Sequence, residues 1–174
     1  MARLYGQHYS KSELLERVGS ISQVGGVRRY TLSDGKQRGV EVAHFRTGTG
    51  FSFEVLLGRG MDISLGEYRG IPLSWMSPTG PTAPKYFEPE DLGWFRSFHG
   101  GLLTTCGLTY LGAPSVDQGK SLGLHGRVSN IPAKNIYVDG EWDSDEYVMW
   151  AEGKIHEAAV FGENILLKRR VWTM

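Results

Sequence analysis

A single cysteine, Cys106, stands among 174 residues, so no disulfide can form within the chain. A reducing compartment, the cytoplasm, fits that composition. An excess of charge is also missing: nineteen Lys and Arg offset nineteen Asp and Glu. Without a basic face there is no electrostatic footprint for nucleic acid and no pull toward an acidic membrane surface. No apolar run approaches the ~20 residues that span a bilayer. The opening residues, MARLYGQHYSKSELLERV, lack the apolar core of a signal peptide. There is no G-x-S-x-G and no P-loop, and Gly58-Arg59-Gly60 lacks the third glycine and following helix of a dinucleotide fingerprint. Repeats of fixed period and low-complexity tracts are absent too.

What is present points to β structure. Glycine accounts for 24 of 174 residues, about twice the usual share of ~7%. Five Trp and eight Tyr accompany it. Glycine-rich turns between aromatic strands suggest an all-β chain. The length suits one domain, residues 1–174, and a chain of this size buries roughly 70% of its unfolded surface without a staple. Aromatic faces can stack on the C–H face of a pyranose, although they fill β-cores more often.

Ser10 and Glu13 have the spacing of a capping box, which predicts a short helix over Lys11–Val18 stopped by Gly19. Val27–Leu32 and Gly39–Phe45 read as a hairpin about a tight Asp34-Gly35 turn. Phe51–Leu57 is a further strand, ending in Gly58-Arg59-Gly60-Met61-Asp62-Ile63, a bend that aims a polar side chain. Leu73–Met76 is a short strand. Ser77–Pro89 holds four of the seven prolines and reads as a loop long enough to be a rim or lid. Asn135–Val138, a turn at Asp139-Gly140, and strands over Tyr147–Glu157 and Ile165–Trp172 complete the pattern. The chain stops on that last strand. Its open edge invites pairing, so either another chain covers it in a homo-oligomer or the sequence is the first part of a longer domain.

The stretch Trp94–Ala133 looks built for chemistry. Two His-Gly pairs, His99-Gly100 and His125-Gly126, lie there with Arg96 and Arg127, among aromatics and recurrent glycines. Such a composition lines cavities more often than it forms plain core. His125 suits acid/base work and substrate hydrogen bonding near neutral pH. Arg127, two positions on, would share its face in a strand, and its guanidinium fork fits sugar hydroxyls or an anionic substituent. Against this stand a core histidine satisfied by backbone and a plain surface arginine. Arg59 and Asp62 are candidates for substrate contact or for a structural pair with each other. Arg96 and His99 share the suggestive context, and Trp94 is either platform or core. His99, Cys106 and His125 match no structural zinc spacing. Leu-Thr-Thr-Cys-Gly-Leu reads as buried strand rather than as a reactive thiolate.

Gly58–Ile63, Pro72–Pro78, Trp94–Leu108 and Gly123–Ala133, with the blocks GGLLTTCGL and LHGRVSN, resemble a family of aldose 1-epimerase-like bacterial proteins similar to galactose mutarotase. The resemblance implies a β-supersandwich: two large, twisted, mostly antiparallel sheets with a sugar cleft across one. It implies anomer interconversion, with no metal or organic cofactor. A base takes the anomeric proton, an acid protonates the ring oxygen, and the opened ring recloses on its other face. His125 looks like the first substrate-contacting histidine of that family, and Arg127 like a sugar-binding arginine nearby. Arg59, Asp62, Trp94, Arg96 and His99 complete the expected substrate contacts. Mutarotase-like chains are about twice as long, and their second histidine and glutamate base would fall beyond Met174. The sequence thus reads as the N-terminal portion of a longer domain. A non-catalytic carbohydrate-binding domain and a sugar isomerase on the same scaffold are the alternatives.

Overall fold

In the computed structural model, which describes residues 2–4 and 6–174, a small hairpin of β1 (Ala2–Leu4) and β2 (Gln7–Tyr9) leads into α1 (Lys11–Leu15). The expected capping box is formed. Glu13 N donates to Ser10 Oγ at 3.2 Å, and Ser10 N donates to Glu13 Oε2 at 2.8 Å. The helix is one turn, shorter than Lys11–Val18, because Leu14 is its sole buried residue and little packing sustains further turns.

Alternating apolar residues then build an antiparallel meander of β3 (Gly26–Thr31), β4 (Glu41–Arg46), β5 (Phe51–Leu56), β6 (Asp62–Tyr68) and β7 (Ile71–Pro72). The β3–β4 connection is not the tight Asp34-Gly35 turn expected. It is a longer loop with a 3-10 turn at Gly35–Gln37, closed where Leu32 N donates to Val40 O at 3.0 Å. Both faces of this sheet are covered. Ala43, Phe45, Phe53 and Val55 face one core, where the rings of Phe45 and Phe53 stack 4.7 Å apart. Val40, Val42 and Leu56 face the other, capped by Ala83. The proline-rich loop therefore carries a buried cover for the back of the sheet, with Thr82 buried beside Ala83, rather than a free lid.

Short pairs follow: β8 (Trp75–Met76) with β9 (Gly100–Gly101), and β10 (Ser115–Asp117) with β11 (Lys120–Leu122). A second sheet comprises β12 (Lys134–Asp143), β13 (Glu146–Ala158) and β14 (Asn164–Thr173). β12 runs unbroken through Asp139-Gly140, and the turn falls at Ser144-Asp145 instead. Gly140 serves packing: a Cβ there would lie 2.8 Å from the Tyr147 hydroxyl, which donates to Gly140 O at 3.1 Å. Met149, Ala151 and Ile155 of β13 meet Phe45, Phe53 and Val55 in one shared core, so the two sheets pack as a β-sandwich. Truncating one of these side chains to Ala would cost ~2–5 kcal/mol for the larger ones. β14 pairs only with β13, leaving its outer edge open among the described residues. Among those residues no helix is long and apolar enough to cross a membrane.

Candidate functional site

The bend after β5 does aim a polar side chain, and it aims it inward. Gly60 has φ +50°, and a Cβ there would stand 3.0 Å from Ser129 Cα and from Val128 O. Only glycine lets the bend lie this close to the 3-10 turn Val128–Asn130. Arg59, 1% exposed, donates from Nη1 to Ser97 O at 2.7 Å, from Nη2 to Asn130 Oδ1 at 3.1 Å and from Nε to Ser129 O at 3.3 Å. It staples three segments distant in sequence. Asp62, fully buried, accepts from Thr105 N at 2.7 Å through Oδ1, while its Oδ2 has no partner. Arg169 enters from β14, donating to Gly60 O at 2.6 Å and to the Thr105 hydroxyl. His99 is fully buried with neither ring nitrogen bonded.

Burial sets the charge states here. Desolvation lowers the Arg59 guanidinium to about 10 and raises the Asp62 carboxyl to about 6. Desolvation, with the Arg59 charge adding, lowers the His99 imidazole to about 3, so it is neutral at pH 7. Trp94, in the 3-10 turn Gly93–Arg96, is 6% exposed. Its Nε1 donates to Ser129 Oγ at 3.2 Å and its ring stacks on Phe98 at 4.6 Å. Arg59, Asp62, Trp94 and His99, expected from sequence to contact a substrate, thus lie in the interior, where Arg59 and Asp62 tie the first sheet to the central stretch. Arg59 and Asp62 do not form the direct pair considered from sequence either. Arg96 is on the surface, ion-paired to Glu88 at 3.1 Å.

His125 and Arg127 are placed differently. The segment is not a strand; His125 and Gly126 lie in a turn that runs into the 3-10 turn at Val128. His125 takes the left-handed conformation, φ +58°, held where its N donates to Gly112 O at 3.0 Å and its O accepts from Gly107 N at 3.1 Å. That conformation is strained for a residue with a Cβ, by ~1–2 kcal/mol. Gly126 follows at φ +74°, where a Cβ would lie 2.6 Å from Tyr110 O. The half-buried His125 ring stands edge-on to Trp94, centroids 4.9 Å apart, with Nδ1 unpartnered.

Gly126 and Arg127 line a groove of about 340 Å³ between the 108–127 segment and the β13–β14 hairpin. Arg127 is exposed, and its guanidinium makes no hydrogen bond or ion pair among the described residues, although its charge acts on Glu163. Across the groove Lys120 pairs with Glu163 at 2.8 Å, which holds the Glu163 carboxyl below its usual range. Glu157, from β13, also lines it. Sequence reasoning passed over Glu157, although the row Met149, Ala151, Gly153, Ile155 ends on it with the same inward phase. Cys106 is exposed and outside any strand, correcting the buried-strand reading of its segment. Among the described residues no three His, Cys, Asp or Glu side chains converge as metal ligands.

Residues 37–174 match the profile of a family described as Domain of unknown function (DUF4432). No curated protein matches the chain. The fold is similar to the crystal structure of a "putative aldose 1-epimerase" from Klebsiella pneumoniae subsp. pneumoniae MGH 78578, with a TM-score of 0.76 and 24% identity. The match covers 84% of this chain and 39% of that one, so the chain spans less than half the length of that protein. The likeness identifies the architecture as the mutarotase-like β-sandwich.

Proposed function

We propose that this chain, which belongs to the DUF4432 family, binds a free or substituted aldose and contributes to interconversion of its anomers by acid/base ring opening. Arg127 holds sugar oxygens, and His125 assists proton transfer. The observation that carries the reading is an arginine whose guanidinium donors are unused lining a groove, two residues after a strained histidine. The mutarotase-like scaffold adds support. Strain kept at a non-glycine residue is common at functional turns. A guanidinium left unpaired beside a groove is free to donate to ligand oxygens.

Ring opening needs only proton transfers at the anomeric hydroxyl and the ring oxygen, chemistry within reach of imidazole near neutral pH. The test is anomer exchange, followed by NMR or polarimetry on a panel of aldoses with the protein at its full natural length. The expected result is faster exchange with at least one aldose, lost in His125→Ala. Exchange no faster than the buffer rate for every aldose contradicts the reading. Saturable sugar binding without exchange would instead favour a carbohydrate-binding module.

A further inference from the structure

The inward face of β13 carries Met149, Ala151, Gly153 and Ile155, and its next member is Glu157, only 4% exposed. An acid that continues an apolar row normally has every oxygen satisfied. Here Oε1 accepts from the Thr109 hydroxyl at 2.7 Å, but Oε2 is buried without a partner. The residue lies where the shared core ends and the groove begins, and it lines that groove with Arg127. An acceptor with no donor therefore shares one groove with donors that have no acceptor.

We infer that Glu157 is a substrate-contacting residue of this groove and that the groove selects a neutral sugar bearing adjacent hydroxyls. The inference rests on the sugar-binding reading above and deepens it. A hydroxyl both donates and accepts. One hydroxyl donates to Glu157 Oε2 while its neighbour accepts from Arg127. The charge of the groove sets the class. Its two cations, Lys120 and Arg127, face three carboxylates, Asp117, Glu157 and Glu163, and Lys120 is already committed to Glu163. A phosphate or carboxylate on the sugar would meet uncompensated negative charge, whereas a neutral polyol does not.

The experiment measures binding of neutral aldohexoses and of the matching hexuronic acids by calorimetry, in the wild-type protein, Glu157→Gln and Glu157→Leu. Each variant is first checked for folding by circular dichroism and thermal melting. The wild type is expected to bind a neutral aldohexose more tightly than its uronic acid. Both variants are expected to lose about tenfold or more in affinity for the neutral sugar, as for a hydrogen bond to a charged group. Should Glu157→Leu fail to fold, Glu157→Gln decides. Variants that bind the neutral sugar as the wild type does, or a wild type that prefers the uronic acid, overturn the inference and leave the sugar-binding reading standing. A wild type that binds no sugar overturns both.

Discussion

Two neighbourhoods of this chain combine arginine, a carboxylate and a histidine, and they end in opposite states. In the first, Arg59 spends all three kinds of guanidinium nitrogen on protein acceptors, with Asp62 and His99 sealed beside it. In the second, the Arg127 guanidinium makes no hydrogen bond and Glu157 keeps an unused oxygen in one groove, while half-buried His125 sits in the strained turn just before Arg127, outside the groove lining. A guanidinium forms a structural junction where its acceptors are internal, as at Arg59, and a candidate binding surface where they are left open, as at Arg127, while the acid and histidine of both neighbourhoods keep unpaired atoms. Composition does not distinguish the two; the supply of partners does.

The largest expected effect separates the arginines. Arg59→Ala leaves buried acceptors at Ser97, Ser129 and Asn130 and should cost about 4 kcal/mol in chemical denaturation. Arg127→Ala should change stability by less than about 0.5 kcal/mol. Equal losses would erase the contrast. Next comes pH. The folded-state value of His99 is depressed to about 3 from 6.5. Between those limits the unfolded chain takes up a proton that the folded chain refuses, so acid destabilises the fold. His99→Leu should therefore gain on the wild type by about 1.4 kcal/mol for each pH unit below 6.5, roughly 2 kcal/mol at pH 5. Asp62 works in the opposite direction, since its raised value makes ionisation unfavourable to the fold as pH climbs from 3.8 toward about 6. Denaturation curves for variant and wild type across pH 4 to 7.5 check this, and a constant gap would refute it. A smaller effect, roughly 1–2 kcal/mol, is expected for Gly126→Ala, which adds a Cβ 2.6 Å from Tyr110 O at a positive φ. Its thermal melt and its sugar affinity should fall together. The smallest effect on stability accompanies a selective one on function: Arg127→Ala should weaken sugar binding about tenfold while its melting curve stays put.

Much of the fold was legible because it depends on local rules. The capping box at Ser10 and Glu13, the alternating strands and the Gly58–Ile63 bend all follow from neighbours in sequence. Asp139-Gly140 misled because a glycine that makes room for the Tyr147 ring looks like a turn glycine. The fate of Arg59 was illegible because its partners lie 38, 70 and 71 residues away. A bend announces that a side chain is aimed, not what receives it. Glu157 was missed for a related reason. Alternation reveals which face a residue takes, but not that the row runs past the rim of the core into a groove. Cys106 was misread because glycines at 100 and 101, both at positive φ, end the strand soon after it begins.

Amide shifts during a sugar titration test the account most directly, because both neighbourhoods report in one spectrum. Saturable shifts are predicted at Thr109, Gly126, Arg127 and Glu157, with Arg59, Ser97 and Asn130 unmoved. Shifts centred on Arg59 and its partners, or no shift with any sugar, would contradict it.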